Sequence, residues 1–183
     1  MSPCGPSPVD PADLAWGAPV LLAADGLVLR EWQQEDLPSM VELFDEPEIA
    51  RWTPLPSPFT LADAAERLIR APREGRLLLA ITTDGDRPLG EMLLTATGEL
   101  GYAVGRPYRG QGLAARSLLL LRDHAHEVLG LSVLRLRIDP ENAASAATAV
   151  RAGFRPRAIA DERIVHKGRR ITIRTWEHVA AAD

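Results

Sequence analysis

The segment Arg109-Gly110-Gln111-Gly112-Leu113-Ala114 is the strongest constraint on what this chain can fold into. It follows the apolar run ELGYAV (99–104) and opens a long apolar-periodic pattern, LAARSLLLLRDHAHEVLG (113–130). A helix usually starts on Ser, Thr, Asp or Asn, whose side-chain oxygen caps the free N–H groups of the first turn. Glycines stand here instead. Several N–H groups are therefore left uncapped at the positive end of the helix dipole. Glycine also reaches backbone angles closed to other residues and lets a ligand come close. A strand, a Gly-rich turn and a helix in that order make either a tight turn or an anion cradle. The Walker pattern fails for want of Gly-Lys-Ser/Thr, and G-x-G-x-x-G fails at Ala115, so the motif lends no support to a nucleotide site of either kind.

The rest of the pattern supplies the frame. GLVLREW (26–32) reads as a strand, and QEDLPSMVELFDEP and TLADAAERLIRAP as two helices with apolar residues at three-to-four spacing. Thr60 and Asp63 signal the start of the second helix, and Pro72 its end. Between the two helices EIARWTPLPSPF (48–59) reads as a Pro-rich loop. RLLLAITT and PLGEMLLTAT form a hairpin across DGDR, and ELGYAV is the next strand. After the helix ending near Leu129, SVLRLRID alternates as a strand. PENAASAATAVRAGF is then a short helix with Asn142 as N-cap and Gly153 as terminator. FRPRAIA and RRITIRTWEHV are closing strands around the turn HKGR. The expectation is one mixed α/β domain over residues 26–178, behind a flexible leader (1–25) that holds five prolines.

Composition narrows the class. With 46% hydrophobic and 25% charged residues in a chain of 183, a single folded core is expected. A net charge of −4 argues against general nucleic-acid binding. No apolar run is long enough for a membrane span, and the N-terminus lacks the basic-then-apolar order of a signal peptide. Cys4 is the only cysteine, so no internal disulfide forms and a cytoplasmic location is expected. The first fifty residues carry ten acids against Arg30 alone, which is either a solvated face or a rim that attracts a cationic acceptor. His124 and His126 lie two residues apart on different helix faces, and no metal is expected.

Arg109-Gly110-Gln111-Gly112-Leu113-Ala114 resembles the R/Q-x-x-G-x-G/A pyrophosphate loop of the GNAT acyl-CoA N-acetyltransferases. The likeness continues in register through ELGYAVGRPYRGQGLA and LRLRIDPENAASAATAVRAGF, where Asn142, Ser145, Gly153 and Phe154 match residues familiar in that superfamily. GLVLREWQQEDLPSMVELFDEPEIARW is similar to the N-terminal strand and helix of its Rim-type branch, which acetylates ribosomal-protein N-termini. The resemblance spans about residues 26–178. It implies an α/β (α+β) fold with a mixed, mostly antiparallel twisted sheet flanked by helices, whose fourth and fifth strands splay into a V. Acetyl-CoA would enter that V, with pantetheine on the strand edge at Ala103 and Val104 and the pyrophosphate on Arg109, Gly110, Gln111, Gly112, Leu113 and Ala114. Asn142 would also touch CoA.

The implied reaction moves an acetyl group to a primary amine, either a peptide N-terminus or a small-molecule amine. A module that binds acyl-CoA without chemistry is the alternative. Ser145 matches the position of the thiolate-protonating serine of the Rim-type branch, whereas the tyrosine that many relatives use is Ala149 here. Its other role would be helix capping. Glu99 is the candidate base, with Glu91, Asp161 and Glu162 as further acids; the fifth-strand glutamate of some relatives is Arg137 here. Trp32, Trp52 and Phe59 either line the acceptor pocket or form a satellite core. An exposed terminal strand would support a homodimer.

Overall fold

The computed structural model describes residues 19–181. Along the described chain run β1 (Leu21–Ala24), β2 (Leu27–Glu31), α1 (Leu37–Phe44), α2 (Pro47–Trp52), α3 (Leu61–Arg73), β3 (Arg76–Thr82), β4 (Gly90–Thr95) and β5 (Glu99–Val104). Then follow α4 (Leu113–Glu127), β6 (Val133–Ile138), α5 (Ala143–Arg151), β7 (Arg155–Pro156), β8 (Glu162–His166) and β9 (Arg169–Val179). The sheet runs β1-β2-β3-β4-β5-β6-β9-β7, with β8 paired to β9 off this path. Every pairing is antiparallel except that of β5 with β6.

Strand β3 shows why helices cover both faces. Its residues Leu77 to Thr82 are all buried, the continuous apolar run of a strand enclosed on both sides. Side chains alternate across a strand, so Leu77, Leu79 and Ile81 pack beneath α4 and α5, while Leu78 and Ala80 face α1 and α3. Leu118, Leu121, Ala125, Ala149 and Phe154 complete the first layer, and Met40, Phe44, Phe59 and Ala64 the second. Trp32 and Phe59 belong to that second core, stacked edge-on against Phe44, and Phe59 also borders a surface pocket with Leu55, Arg67 and Leu78.

Several elements depart from the sequence pattern. Part of the expected Pro-rich loop is the six-residue helix α2. FRPRAIA gives only the two-residue strand β7, whereas Glu162–His166, read as loop and turn, pairs with Arg169–Ile173 as a hairpin. Pro72 lies inside the last turn of α3, whose start is the expected reciprocal cap of Thr60 and Asp63. Of the leader expected over residues 1–25, residues 1–18 and Cys4 lie outside the described residues; Leu21–Ala24 form the edge strand β1.

The site is made where β5 and β6 part. Their parallel register holds only at Glu99↔Arg135 and Leu100↔Leu136, and beyond Leu100 the strands diverge into a V. The closed end is tightened by Gly98, whose carbonyl accepts from the Arg135 amide at 2.8 Å. Gly98 has φ +82, and a Cβ there would lie 2.5 Å from the Val133 carbonyl oxygen. Gly98→Ala is therefore expected to destabilise the fold by about 2–3 kcal/mol, read as a fall in the midpoint of chemical unfolding.

Candidate active site

Two helix N-termini converge on the open end of the V. Helix α4 begins at Gly112 (φ 74) with no side-chain cap and no acid in its first turn. Gly110 is left-handed too (φ 76), and a Cβ on either glycine would meet nothing within 4 Å. Among the described residues, none of the amides of residues 110–115 has a hydrogen-bond acceptor. These free N–H groups lie where the sequence allowed either a tight turn or an anion cradle. Leu113, buried in the core, and half-buried Ala114 anchor the turn; Gln111 is exposed, its amide nitrogen 3.4 Å from the Pro107 carbonyl. The unpartnered amides and the open space over the glycines fit a pyrophosphate.

Arg109 behaves differently from its neighbours. Its Nε donates to the Val104 carbonyl at 2.9 Å, and its two terminal nitrogens grip Glu46 (2.5 Å) and Glu48 (2.5 Å). The guanidinium thus turns to α2, leaving only its backbone to the cradle.

The edge of β5 also differs in detail from the expectation. Gly98 C=O bonds to β6, and Gly105 N–H bonds to Leu89 ahead of β4. Strand alternation therefore turns the peptide groups of Leu100, Tyr102 and Val104 toward the V, and those of Ala103 toward Glu91 on β4. The edge groups available to a ligand belong to Tyr102 and to the Val104 N–H, with Ala103 between them.

On the other arm, Asn142 caps α5: its Oδ1 accepts from the Ser145 amide at 3.1 Å. Ser145 is half-buried, and its Oγ has no partner among the described residues. Its carbonyl accepts the Tyr102 hydroxyl at 2.9 Å, a contact that spans the V from β5 to α5. Burial pushes the Tyr102 phenol up to about 12, against the hydrogen bonds at Ser145 and Thr148 that lower it. Tyr102 is a site residue that sequence reasoning missed. Its position as the fourth residue of ELGYAV, in line with Leu100 and Val104, was the available signal.

The acids divide sharply. Glu91 is buried against Arg67 at 2.5 Å, not solvent-facing. Asp161 is held below the usual carboxylate range by Arg174 at 2.7 Å, and Glu162 pairs with Arg137 at 2.7 Å. Glu99 is exposed and makes no ion pair among the described residues, but it sits in the closed part of the V opposite Arg135. The arrangement thus brings together the 110–114 cradle, Asn142, Ser145 and the β5 edge, and leaves Glu99 apart. Half-buried Trp52 lies beneath the Arg51 guanidinium (4.3 Å) at the end of α2. Among the described residues no group of three or more His, Cys, Asp or Glu side chains could hold a metal ion, and no helix is long and apolar enough to cross a membrane.

A sheet parted between two helix N-termini, one of them a glycine cradle, defines an acetyltransferase of the GNAT type. The model of the acetyltransferase (GNAT) domain matches residues 26–155, and the chain belongs to that family. It is 26% identical over 136 residues to the uncharacterized N-acetyltransferase p20 of Bacillus licheniformis, covering 68% of this chain and 76% of that protein. Its fold is similar to that of RimL, a ribosomal L7/L12 alpha-N-protein acetyltransferase, in complex with coenzyme A (TM-score 0.77, 17% identity, 90% of this chain and 100% of that one). It is also similar to spermidine N-acetyltransferase from Vibrio cholerae in complex with CoA and spermine (TM-score 0.72, 16% identity, 84% and 95%).

The raised Tyr102 value fixes a pH dependence. The folded protein keeps this proton to higher pH than the unfolded chain, so the associated stability is complete below about pH 10 and is lost as pH rises toward 12. Tyr102→Phe should lower stability by about 1 kcal/mol at neutral pH. It should also flatten the fall of the melting temperature between about pH 10 and 12.

Proposed function

We propose that the protein is an acetyl-CoA-dependent N-acetyltransferase acting on a primary amine by direct attack in a ternary complex, with an α-amine as its preferred acceptor. The observation that carries this reading is the run of unpartnered amides over residues 110–115, set beside the open peptide edge of Tyr102 and Val104. The CoA carried by two structures of the same fold supports it.

Acetyl-CoA supplies an activated acyl carbon and a thiolate leaving group. The chain's own groups do the rest. The amides of 110–114 take the pyrophosphate through dipoles fixed by the fold, without a lysine. The N–H groups of Tyr102 and Val104 are preorganised donors for pantetheine or for the tetrahedral oxyanion, at no cost in side-chain entropy. Asn142 shapes the first turn of α5, and from that turn the free Ser145 hydroxyl can protonate the departing sulfur. Positioning of both substrates accounts for much of the acceleration.

The base requirement points to the acceptor. Deprotonating a lysine-type amine at pH 7 costs roughly 4–5 kcal/mol, against about 1 kcal/mol for an α-amine. Glu91, Asp161 and Glu162 are each tied to an arginine, and Glu99 lies at the closed end of the V. An α-amine needs no stronger base than water relayed to Glu99. Among the described residues, Glu46 and Glu48 share Arg109 and Glu141 meets Arg51, which reduces the acidic surface open to a polycation. The ten acids of the first fifty residues are accordingly a weaker lure for a cationic acceptor than their number suggests.

The test is thiol release from acetyl-CoA with peptides of varied N-terminus, spermidine and small amines. Turnover with an α-amine peptide above that with spermidine is expected. CoA binding without turnover on any amine would leave the non-catalytic module. Ser145→Ala should lower kcat by about tenfold to a hundredfold while the CoA dissociation constant stays within about twofold. Gly112→Val places a side chain over the cradle at φ 74 and should weaken CoA binding by at least about tenfold in calorimetry.

A further inference from the structure

Helix α2 runs from one arm of the V to the other. At its start, the cap residue Glu46 and first-turn Glu48 meet Arg109, next to the end of β5. At its end, Arg51 meets Glu141, in the turn that follows β6, at 3.0 Å. The tip of the β8–β9 hairpin closes the far side. Lys167 Nζ donates to the Ala50 carbonyl at 2.7 Å and also to the Leu55 carbonyl, and the His166 ring meets the Thr53 carbonyl at 3.1 Å. Six helical residues span roughly 9 Å, with one end tied to Arg109 and the other to Glu141. A helix of that length does not hold together on its own backbone hydrogen bonds, so its order depends on these anchors and on buried Ile49.

Arg109 is the strongest of the anchors. Its fork spans both oxygens of Glu46, one oxygen of Glu48 and the Val104 carbonyl. Glu46 and Arg109 side chains are 16% and 30% exposed, so the pair is screened less than a surface contact. Two carboxylates also outweigh one guanidinium, leaving the cluster with a net charge of −1. Such a cluster repels a phosphate. It places the anion on the amides alone and frees the arginine for another task.

We infer that Arg109 is a positioning residue for the acceptor amine: it holds α2 across the mouth of the V, where the amine must pass, and is not a ligand of the donor's phosphates. This rests on the acetyltransferase reading of the site. The same guanidinium donates to the last carbonyl of β5, which ties α2 to the strand end without using the Tyr102 and Val104 N–H groups. A lysine could not take its place, since an ammonium is a point donor without the planar fork.

The experiment compares Arg109→Gln, Glu46→Gln and Arg109→Lys with the wild-type chain. It uses CoA calorimetry, steady-state kinetics on a short serine-initiated peptide, and hydrogen–deuterium exchange. Arg109→Gln and Glu46→Gln should raise the peptide KM by about tenfold with a smaller change in kcat, and leave the CoA dissociation constant within about twofold. Exchange over residues 46–53 should rise in both variants while residues 110–116 keep their protection by CoA. Arg109→Lys should recover only part of the loss. A tenfold loss of CoA affinity in Arg109→Gln with an unchanged peptide KM would make the arginine a phosphate ligand and overturn the inference, as would unaltered exchange over 46–53. If the wild-type chain acetylates no amine, the functional reading fails by itself. The exchange and CoA arms then still decide what Arg109 does.

Discussion

The parting of β5 from β6 after Leu100 is the constraint on which the rest of this molecule depends. Two residues of parallel pairing hold the sheet together, and beyond them both strands run on with peptide edges turned into a cleft. Open edges inside a sheet are costly unless something satisfies or occupies them. The Tyr102 hydroxyl reaches across to the Ser145 carbonyl, and the Arg109 guanidinium takes the Val104 carbonyl. What remains open is a narrow set of N–H groups aimed at one place. Because α4 follows β5 and α5 follows β6, two helix N-termini arrive at the same opening. Their dipoles give the cleft a positive character that no charged side chain has to supply.

The electrostatics around the cleft follow from that economy. Carboxylates near it are paired with arginines: Glu46 and Glu48 with Arg109, Glu91 with Arg67, Asp161 with Arg174, Glu162 with Arg137. The pairing ties up these five carboxylates. Beside the cleft it leaves backbone N–H groups and the Ser145 hydroxyl without partners among the described residues, and Glu99 at the closed end without an ion pair. The exposed pairs contribute little to stability; the buried Arg67–Glu91 pair and the Arg109 fork act chiefly by fixing elements relative to each other.

Much of this was legible in residue order. Strong periodicity marked the central strands, α3, α4, and the β6–α5 unit, and the glycines of 110–112 announced an uncapped helix. Helix α2 was hidden because six residues beginning with a proline carry no periodic signal, and tertiary contacts hold them. Strand β8 was hidden because Glu162–His166 is mostly exposed and pairs on one side only, so burial imposes no pattern on it. Trp32 and Phe59 read equally as pocket or core; only tertiary structure shows both stacked on Phe44, with Phe59 also lining a surface pocket.

At the site the division is sharper. The sequence by itself determined how the two helices at the cleft begin: two glycines before a helix can be placed from local conformational preference alone, and Asn142 three residues before Ser145 caps by local geometry. Tertiary structure alone decided which way Arg109 points, that Tyr102 crosses the V, and that nearly every nearby acid already has an arginine. Those facts depend on partners distant in the chain, such as Glu46 and Arg109, and the strength of a charge–charge contact is set by distance and burial. Neither quantity is written in the order of the residues.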